Sequence, residues 1–569
     1  MVQDARQTEA FRLRQQEEIK RLERRRASLK TERSGWDTHW KDLAENISPQ
    51  TPRFLVQDRN KGDRRNTRIL DTTAVTALRV LTAGLVSGVT NPSRPWFTLR
   101  TPYADLNERQ SVKTWLFTVE QRMREVFLKS NLYTVLPEVY RDLGLFGTAA
   151  FTVEDDREDV IRCSHLPIGS YSLACDARGR VNAIFHEAAW TADQIVREFG
   201  LAVCSQAVKT AMERNPDQTF TVVHVVEPNP DADTSKLDAK NLPFRSCWYE
   251  DGGDQYLRES GFWEFPAIAP RWRVTGGDSY GTSPGMECLG NVKGLQLMAK
   301  RKAQILEKFT NPPVNVPAAM RNTATNLVPG GVNYVDGFQA GQTGVVPVHE
   351  IRNPYLADLR ADMAAEQEQV RRAFYEDLFL MLGLNGTPGM TATEVAARQE
   401  EKMIALGPVY LRLNDEMLDR LVSRVYGIMR RGGMIPDPPE EMDQVELVVE
   451  YLSIMAQTMK ALGLASIERV MTFYGSAGQA FPQVLRKVNA DRVVEVYTDL
   501  SGAPPDLLFD QETTDALRAQ DAQAAQAQQA MDMAAQGAQA AHALGTTPLS
   551  DNNALAQLLG RMAPAGGVM

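Results

Sequence analysis

At 569 residues, with 43% hydrophobic and 24% charged side chains, the chain is long enough for three or four compact units and is neither fibrous nor wholly disordered in composition. Five cysteines, Cys163, Cys175, Cys204, Cys247 and Cys288, are odd in number and form no C-x-x-C pair, so no disulfide framework or zinc site is expected and a reducing compartment is the natural setting. The net charge of −9 is uneven: residues 1–66 hold sixteen Lys/Arg against eleven Asp/Glu, so an arm of +5 precedes a body of −14, which argues against tight duplex binding through lysine and arginine.

In chain order, residues 4–33 are almost continuously polar, with Phe11, Leu13, Ile19, Leu22 and Leu29 loosely at helical spacing, which predicts a peripheral helix on a basic arm, 1–34. Its cluster Lys20–Arg26 reads either as a nucleic-acid contact or as a solvated helix face. Trp36–Ile47 predicts a second short helix stopping at Ser48-Pro49. Asp71–Leu85 fits a buried helix with an Asp or Thr start, ended by Asn91-Pro92 and Pro95. A short strand at Trp96–Leu99 and helices over about Asn107–Lys129 and Val135–Leu145 follow. Residues 148–272 change character. Ala150–Val153, Val181–Phe185, Thr221–Val226 and Phe262–Phe265 are short apolar runs between turn residues, the pattern of a mixed α/β unit with a helical insertion at Thr191–Glu213 and a polar loop at Pro228–Leu242.

Ser283-Pro284 opens a helix whose Leu289, Val292, Leu295, Met298, Ile305 and Phe309 form a stripe and which must stop before Asn311-Pro312-Pro313. Pro313–Val316, Val332–Val335 and Gly344–Val348 look like a small β excursion between two long helices. The second long helix, Tyr355–Leu382, carries Leu356, Leu359, Met363, Val370, Phe374, Leu378 and Met381 as one apolar stripe, while Asp358, Asp362 and Glu366, four apart, share another face. It ends in Gly383-Leu384-Asn385-Gly386-Thr387-Pro388-Gly389-Met390, where three glycines permit motion or a tight helix-to-helix connection. Thr391-Ala-Thr-Glu394 is a capping box opening a helix to about Arg430, with a kink at Gly407-Pro408 and a stop at Gly432-Gly433. Beyond it, Val445–Tyr451 is strand-like and helices run to about Leu500. The Ala/Gln-rich stretch 511–544 favours helix but offers little apolar face, so it is either frayed or supported by copies of itself.

Little here suggests reaction chemistry. Gly281-Thr-Ser-Pro-Gly285 fits the G-x-S-x-G elbow of a serine hydrolase, but the residue after the serine, Pro284, has no N–H for an oxyanion, and Ser-Pro is more simply a helix start. There is no G-x-x-x-x-G-K-[ST] and no H-E-x-x-H, so no ATPase motor or metalloprotease is visible. His165, His186 and His224, beside Cys163 and Cys175, fit no standard ligand spacing, and Asn385-Gly-Thr387 is better read as turn chemistry than as a glycosylation site. No metal and no cofactor is expected. The longest apolar run, Val80–Val89, is too short to span a bilayer, so neither membrane insertion nor secretion is expected.

Three segments carry a likeness. Asp71-Thr-Thr-Ala with Leu81-Thr-Ala-Gly-Leu85 and Asn91-Pro-Ser-Arg-Pro-Trp-Phe-Thr-Leu99, then Glu307-Lys-Phe-Thr-Asn-Pro-Pro313, then Met390-Thr-Ala-Thr-Glu-Val395 together resemble the portal, or head-to-tail connector, proteins of short-tailed bacteriophages over residues 35–500. The resemblance implies a mainly α portal fold with an α/β wing and a small β-containing clip, arranged as a ring, usually of twelve subunits, at one capsid vertex. It divides the chain into a wing (35–280), stem helices (281–309 and 355–382), a clip (310–354), a tunnel loop (383–390), a long kinked helix behind it (391–431), a wing strand with crown helices (432–510) and a tail or barrel helix (511–569). It further implies double-stranded DNA passing non-specifically through the ring, and as partners the terminase large subunit, a tail adaptor and the major capsid and scaffold proteins, with assembly in the host cytoplasm. Another structural virion protein, internal or scaffold-like, is the alternative.

By that likeness Gly383, Leu384, Asn385, Gly386, Thr387, Pro388, Gly389 and Met390 face DNA. Asp358, Asp362 and Glu366 line the stem channel or lie on a solvated outer face, and Arg371 and Arg372 grip DNA weakly or meet a neighbouring subunit. Helices about 10 Å wide, set twelve abreast, give a circumference of roughly 120 Å and a lumen of roughly 28 Å, enough for a duplex. Twelve chains would carry −108, so an acidic channel wall would repel phosphate.

Overall fold

The computed structural model describes residues 2–48, 69–310 except 234 and 237, 314–315, 346–347, 356–383, 406–442, 447–452, 468, 470–477, 481, 489–501 and 511–545. Contacts divide the chain into two units, 1–462 and 463–569.

The first unit begins with one uninterrupted 45-residue helix, α1 (Val2–Asn46), where the sequence suggested two. The glycine between them, Gly35, costs only about 1 kcal/mol of helix propensity. Packing on both sides offsets that cost: Ile19 and Leu22 are buried against Phe185, Val223, Val225 and Tyr249 of a sheet, and Trp40, Leu43 and Ile47 enter the main core. Helices α2 (Thr73–Val89), α4 (Gln110–Lys129) and α5 (Leu132–Phe146) form that core. The helix expected from Asn107 is broken at Arg109 (φ −73°, ψ 131°), leaving a short α3 (Ala104–Glu108) whose Asn107 side chain bonds both the N–H and the carbonyl of Thr101.

The strand at Phe97–Arg100 (β1) is paired antiparallel with a strand more than three hundred residues later, Val448–Tyr451. Between them lies the α/β unit. β2 (Ala150–Asp156) pairs with β3 (Val160–Leu166) and, on its other edge, with β9 (Ala267–Ile268). A five-stranded antiparallel sheet follows in simple meander order: β4 (Tyr171–Cys175), β5 (Val181–Thr191), β6 (Thr219–Pro228), β7 (Phe244–Glu250) and β8 (Tyr256–Phe262). The alternation in β6 explains its two covers: Val223 and Val225 face α1, while Val222 faces α6 (Ala192–Phe199) and α7 (Gln206–Arg214), the expected helical insertion. Phe262–Phe265 is not a strand: β8 ends at Phe262 and Glu264 lies in a bend, where its carboxylate takes Arg424 and Arg431.

The long helix α8 (Pro284–Thr310) ends just before Asn311-Pro312-Pro313, as proline sterics require. Beyond it β10 (Val314–Asn315) and β11 (Val346–Pro347) pair antiparallel. The strand-like Val332–Val335 lies outside the described residues. Helix α9 (Leu356–Ala373) returns beside α8, and α10 (Glu376–Gly383) continues after a break. A helix over 406–413 (α11) contains Pro408 and runs through a π-turn at Asn414–Leu418 into α12 (Asp419–Arg431), which stops at Gly432-Gly433 with Gly433 at φ +66°. The distortion therefore appears at 414–418, beyond the expected Gly407-Pro408. β12 (Val448–Tyr451) is the partner of β1.

In the second unit, a helix over 470–477 (α13), α14 (Ala490–Ser501) and the 35-residue α15 (Gln511–Gly545) are described. Met531 and Met533 of α15 are 73% and 70% exposed, and Arg518 pairs with Asp491 of α14.

Candidate functional site

The return of α8 and α9 past the core is the centre of the site, and three contacts fix it. At its root, the G-x-S-x-G segment is a docking seam. Ser283 is fully buried, donates its hydroxyl to the Leu145 carbonyl (2.7 Å) and accepts the Met286 N–H (3.0 Å), capping α8. Gly147 sits at φ +76°, and a Cβ there would lie 2.3 Å from the Gly281 carbonyl oxygen; a Cβ on Gly281 would lie 2.4 Å from that of Gly147. The motif is a place where two backbones touch, and its serine is no nucleophile.

Roughly three and a half turns along α8, Gln296 meets Asp71 and knots α2 to the α8–α9 pair. Gln296 accepts the Leu70 and Asp71 N–H groups and donates to the Asp71 carbonyl, while the Asp71 carboxylate caps Thr73 and accepts from Gln367 of α9. Burial pushes this carboxyl up, but the hydrogen bonds from Thr73 and Gln367 hold it below its ordinary value. The third contact is α10 on α2: a Cβ at Gly84 would fall 2.1 Å from the Phe379 ring, so the glycine of Leu81-Thr-Ala-Gly-Leu85 lets that ring seat.

Helix α9 does not carry its apolar stripe straight into α10. Tyr375 stands at φ +56°, a left-handed conformation unusual for an aromatic residue, and divides the expected single helix while Phe374 and Leu378 stay buried on either side. The whole loop Leu384, Asn385, Gly386, Thr387, Pro388, Gly389 and Met390 lies outside the described residues, as does the capping box at Thr391; Met381 and Gly383 are described only as backbone positions of α10.

The charged candidates on α9 separate. Asp358 and Asp362 are exposed. Glu366 is half-buried and accepts the amide of Asn291 on α8 (2.8 Å), which also donates to Gln369 (2.6 Å). Arg371 lies 3.9 Å from both Glu368 and Glu376, and Arg372 pairs with Glu368 at 3.0 Å.

Sequence reasoning missed what surrounds the π-turn. Glu416, inside it, is buried and takes a two-pronged contact from buried Arg271 (Nη2 to Oε1 2.8 Å, Nε to Oε2 3.1 Å), which also donates to the Gly179 carbonyl; Arg412 adds a third hand. Burial opposes the Arg271 charge, but Glu416 more than offsets it and raises its pKa. About two turns on, buried Arg424 spans the Val153 carbonyl, Asp155 and Glu264, yet burial still depresses its pKa. A π-turn leaves no mark on apolar spacing, and Glu416 stands in the sequence among Arg412, Asn414, Asp415, Asp419 and Arg420, so nothing there set it apart.

Much of the basic cluster of α1 is paired within the chain: Arg21 and Arg25 meet Glu227 and Arg26 meets Asp251 (2.6 Å), with Lys30 on Glu187 (2.8 Å) beyond it, while Lys20 and Arg24 are exposed. The histidines are similarly placed. Buried His224 bonds Ser246 (2.9 Å) and stacks on Trp248, and His165 bonds Asp142 (2.9 Å). All five cysteines are free thiols, and burial pushes Cys163, Cys247 and Cys288 up to about 12. Among the described residues no group of three His, Cys, Asp or Glu could hold a metal, and no helix is long and apolar enough to cross a membrane.

A family profile described as "Bacteriophage head to tail connecting protein" matches residues 19–508. The chain is 44% identical over 545 residues to the portal protein of Salmonella phage epsilon15, covering 95% of this chain and 98% of that one. It is 41% identical over 547 residues to the probable portal protein of Bordetella phage BPP-1, covering 96% and 98%. The chain belongs to the bacteriophage portal, or head-to-tail connector, family. In a portal protein the buried, serine-capped root of α8 and the Arg271–Glu416 anchor are framework, and the residues left exposed along α8 and α9 are those available to meet something outside the chain.

Proposed function

We propose that this portal protein assembles into a ring, most simply of twelve subunits, at one vertex of the capsid, through which double-stranded DNA is packaged and ejected. The observation that carries the reading is the match over residues 19–508, together with two relatives aligned along nearly their full length. In support, the distal half of α8 leaves Leu297 and Phe309 each 55% exposed, as expected of a helix that meets further copies. On this reading 35–280 is the wing, α8 and α9 the stem, 310–354 the clip, 383–390 the tunnel loop and 391–431 the helix behind it. The clip contacts the terminase large subunit during packaging and the tail adaptor afterwards, while the major capsid and scaffold proteins surround the wing. The ring's net negative charge lets DNA slide without sticking. Replacing 383–390 by a short rigid turn should leave rings intact and impair packaging or DNA retention. Native mass spectrometry and negative-stain images of the purified chain test the assembly directly: rings with a central hole are expected, and a monomer would sink the reading.

A further inference from the structure

The distal stem is charged in a way the single chain leaves unused. On α8, Lys293, Leu297, Lys300, Arg301, Gln304 and Lys308 recur at steps of three and four, which puts them on one face. Lys293, Leu297, Lys300, Arg301 and Lys308 are all exposed, on the side of the helix away from the buried Val292 and Leu295. Lys293 pairs with Asp42 of α1. Among the described residues Lys300, Arg301 and Lys308 meet no carboxylate within ion-pair distance, and Arg301 reaches only the Gln304 amide (3.1 Å). On α9 the exposed Asp358 and Asp362 likewise meet no cation among the described residues.

Height decides which of these charges could meet. The bonds from Asn291 to Glu366 and Gln369 and the pairing of Val314 with Pro347 show that α8 and α9 run antiparallel. Climbing α8 from Asn291 to Lys300 is about 13 Å, and the same step back along α9 from Gln369 or Glu366 arrives at about residues 357–360. Asp358 therefore stands level with Lys300, and Asp362 about one turn away. A rotation about an axis running along the helix pair keeps every residue at its own height, so a charge on one subunit can meet only what lies at the same level on the next.

We infer that the basic face of α8, centred on Lys300 and Arg301, docks on the acidic flank of α9, Asp358 and Asp362, of a second copy of this chain. The inference rests on the ring reading and deepens it. Asp358 and Asp362 hold neighbouring subunits in register and are withdrawn from the channel wall. Leu297, between the cations, supplies the apolar contact that exposed ion pairs alone lack.

Charge reversal tests it. Lys300→Glu with Arg301→Glu, and separately Asp358→Lys with Asp362→Lys, should each lower the fraction of chain found in rings by about tenfold at physiological salt, because like charges then oppose one another. All four substitutions together should restore it. Circular dichroism of each variant should match that of the wild type, since all four side chains are exposed. As a second measurement, a chain carrying Lys300→Cys co-assembled with one carrying Asp358→Cys should give a covalent dimer with a short bis-maleimide. Rings unaffected by either reversal, no recovery in the fourfold variant, or absence of the dimer would overturn the contact. Intact rings that lose duplex retention on Lys300→Glu with Arg301→Glu would assign the basic face to DNA instead, and equally overturn it. A wild-type chain that stays monomeric would remove the ring reading, and the contact with it.

Discussion

The two halves of α8 follow opposite rules. The first, Pro284–Gln296, has a buried serine cap, a glycine contact of backbone on backbone and a glutamine making three hydrogen bonds to the start of α2. The second, from Leu297 to Thr310, exposes Leu297, Leu306 and Phe309 and carries cations with no carboxylate beside them among the described residues. One helix is thus built half against its own chain and half for something outside it. A substitution in the first half should therefore appear as lost stability of the chain, and one in the second as lost association with little change in stability.

The largest loss is expected where backbones touch. Gly147→Val puts a branched side chain at φ +76° against the Gly281 carbonyl, neither of which can yield, and should cost at least about 4 kcal/mol. A lowered urea midpoint, or failure to fold, would show it; a variant with an unchanged midpoint would mean the seam is looser than drawn. Glu416→Ala leaves buried Arg271 with its charge uncompensated and should cost about 3–4 kcal/mol, whereas Arg271→Met with Glu416→Leu should recover much of that.

An acid-dependent loss comes next. Burial, with His186 and Arg258 nearby, lowers His224 to about 3 from an ordinary 6.5. The unfolded chain binds this proton as pH falls through about 6.5 while the folded chain does not, so the stability due to neutral His224 is complete above that pH and declines below it, by about 2 kcal/mol between pH 7 and pH 5. His224→Gln should show a correspondingly flatter urea midpoint over that interval. Ser283→Ala removes a cap and should cost about 1 kcal/mol, and it should abolish no hydrolytic activity. A variant that lost an esterase activity present in the wild type would reopen the hydrolase reading.

What could be read from the sequence follows the same division. The start of α8 at Ser283-Pro284, its end before Asn311, the β1 and β12 segments and the stop at Gly432 depend on cap, proline and alternation rules that act within a few residues. The continuity of α1 was not legible, because what holds its charged face is Glu187, Glu227 and Asp251 on a distant sheet. Neither was the break at Tyr375, since the apolar stripe of α9 continues in phase across it. The three acids of α9 looked alike by spacing, and only the presence of Asn291 on α8 separates Glu366 from Asp358 and Asp362. The family itself was legible from short motifs: Asp71 turns out to be a point where the α8–α9 pair is tied to α2 and Gly84 the point where α10 seats on it, whereas Glu307–Thr310 is the exposed far end of α8.

The smallest effect on the chain itself is the sharpest test of the division. Phe309 is 55% exposed on the last turn of α8, so Phe309→Ser removes little buried area and should shift the urea midpoint by no more than about 0.5 kcal/mol in stability. Exposed aromatic rings at an assembly surface contribute far more to association than to folding, because their burial occurs only when the partner arrives. The same variant should therefore populate rings measurably less at equal concentration, read by native mass or sedimentation. A large loss of chain stability would mean that Phe309 packs within its own subunit. Unchanged stability with unchanged rings would mean that the apolar end of α8 stays in water or meets a partner other than a second copy.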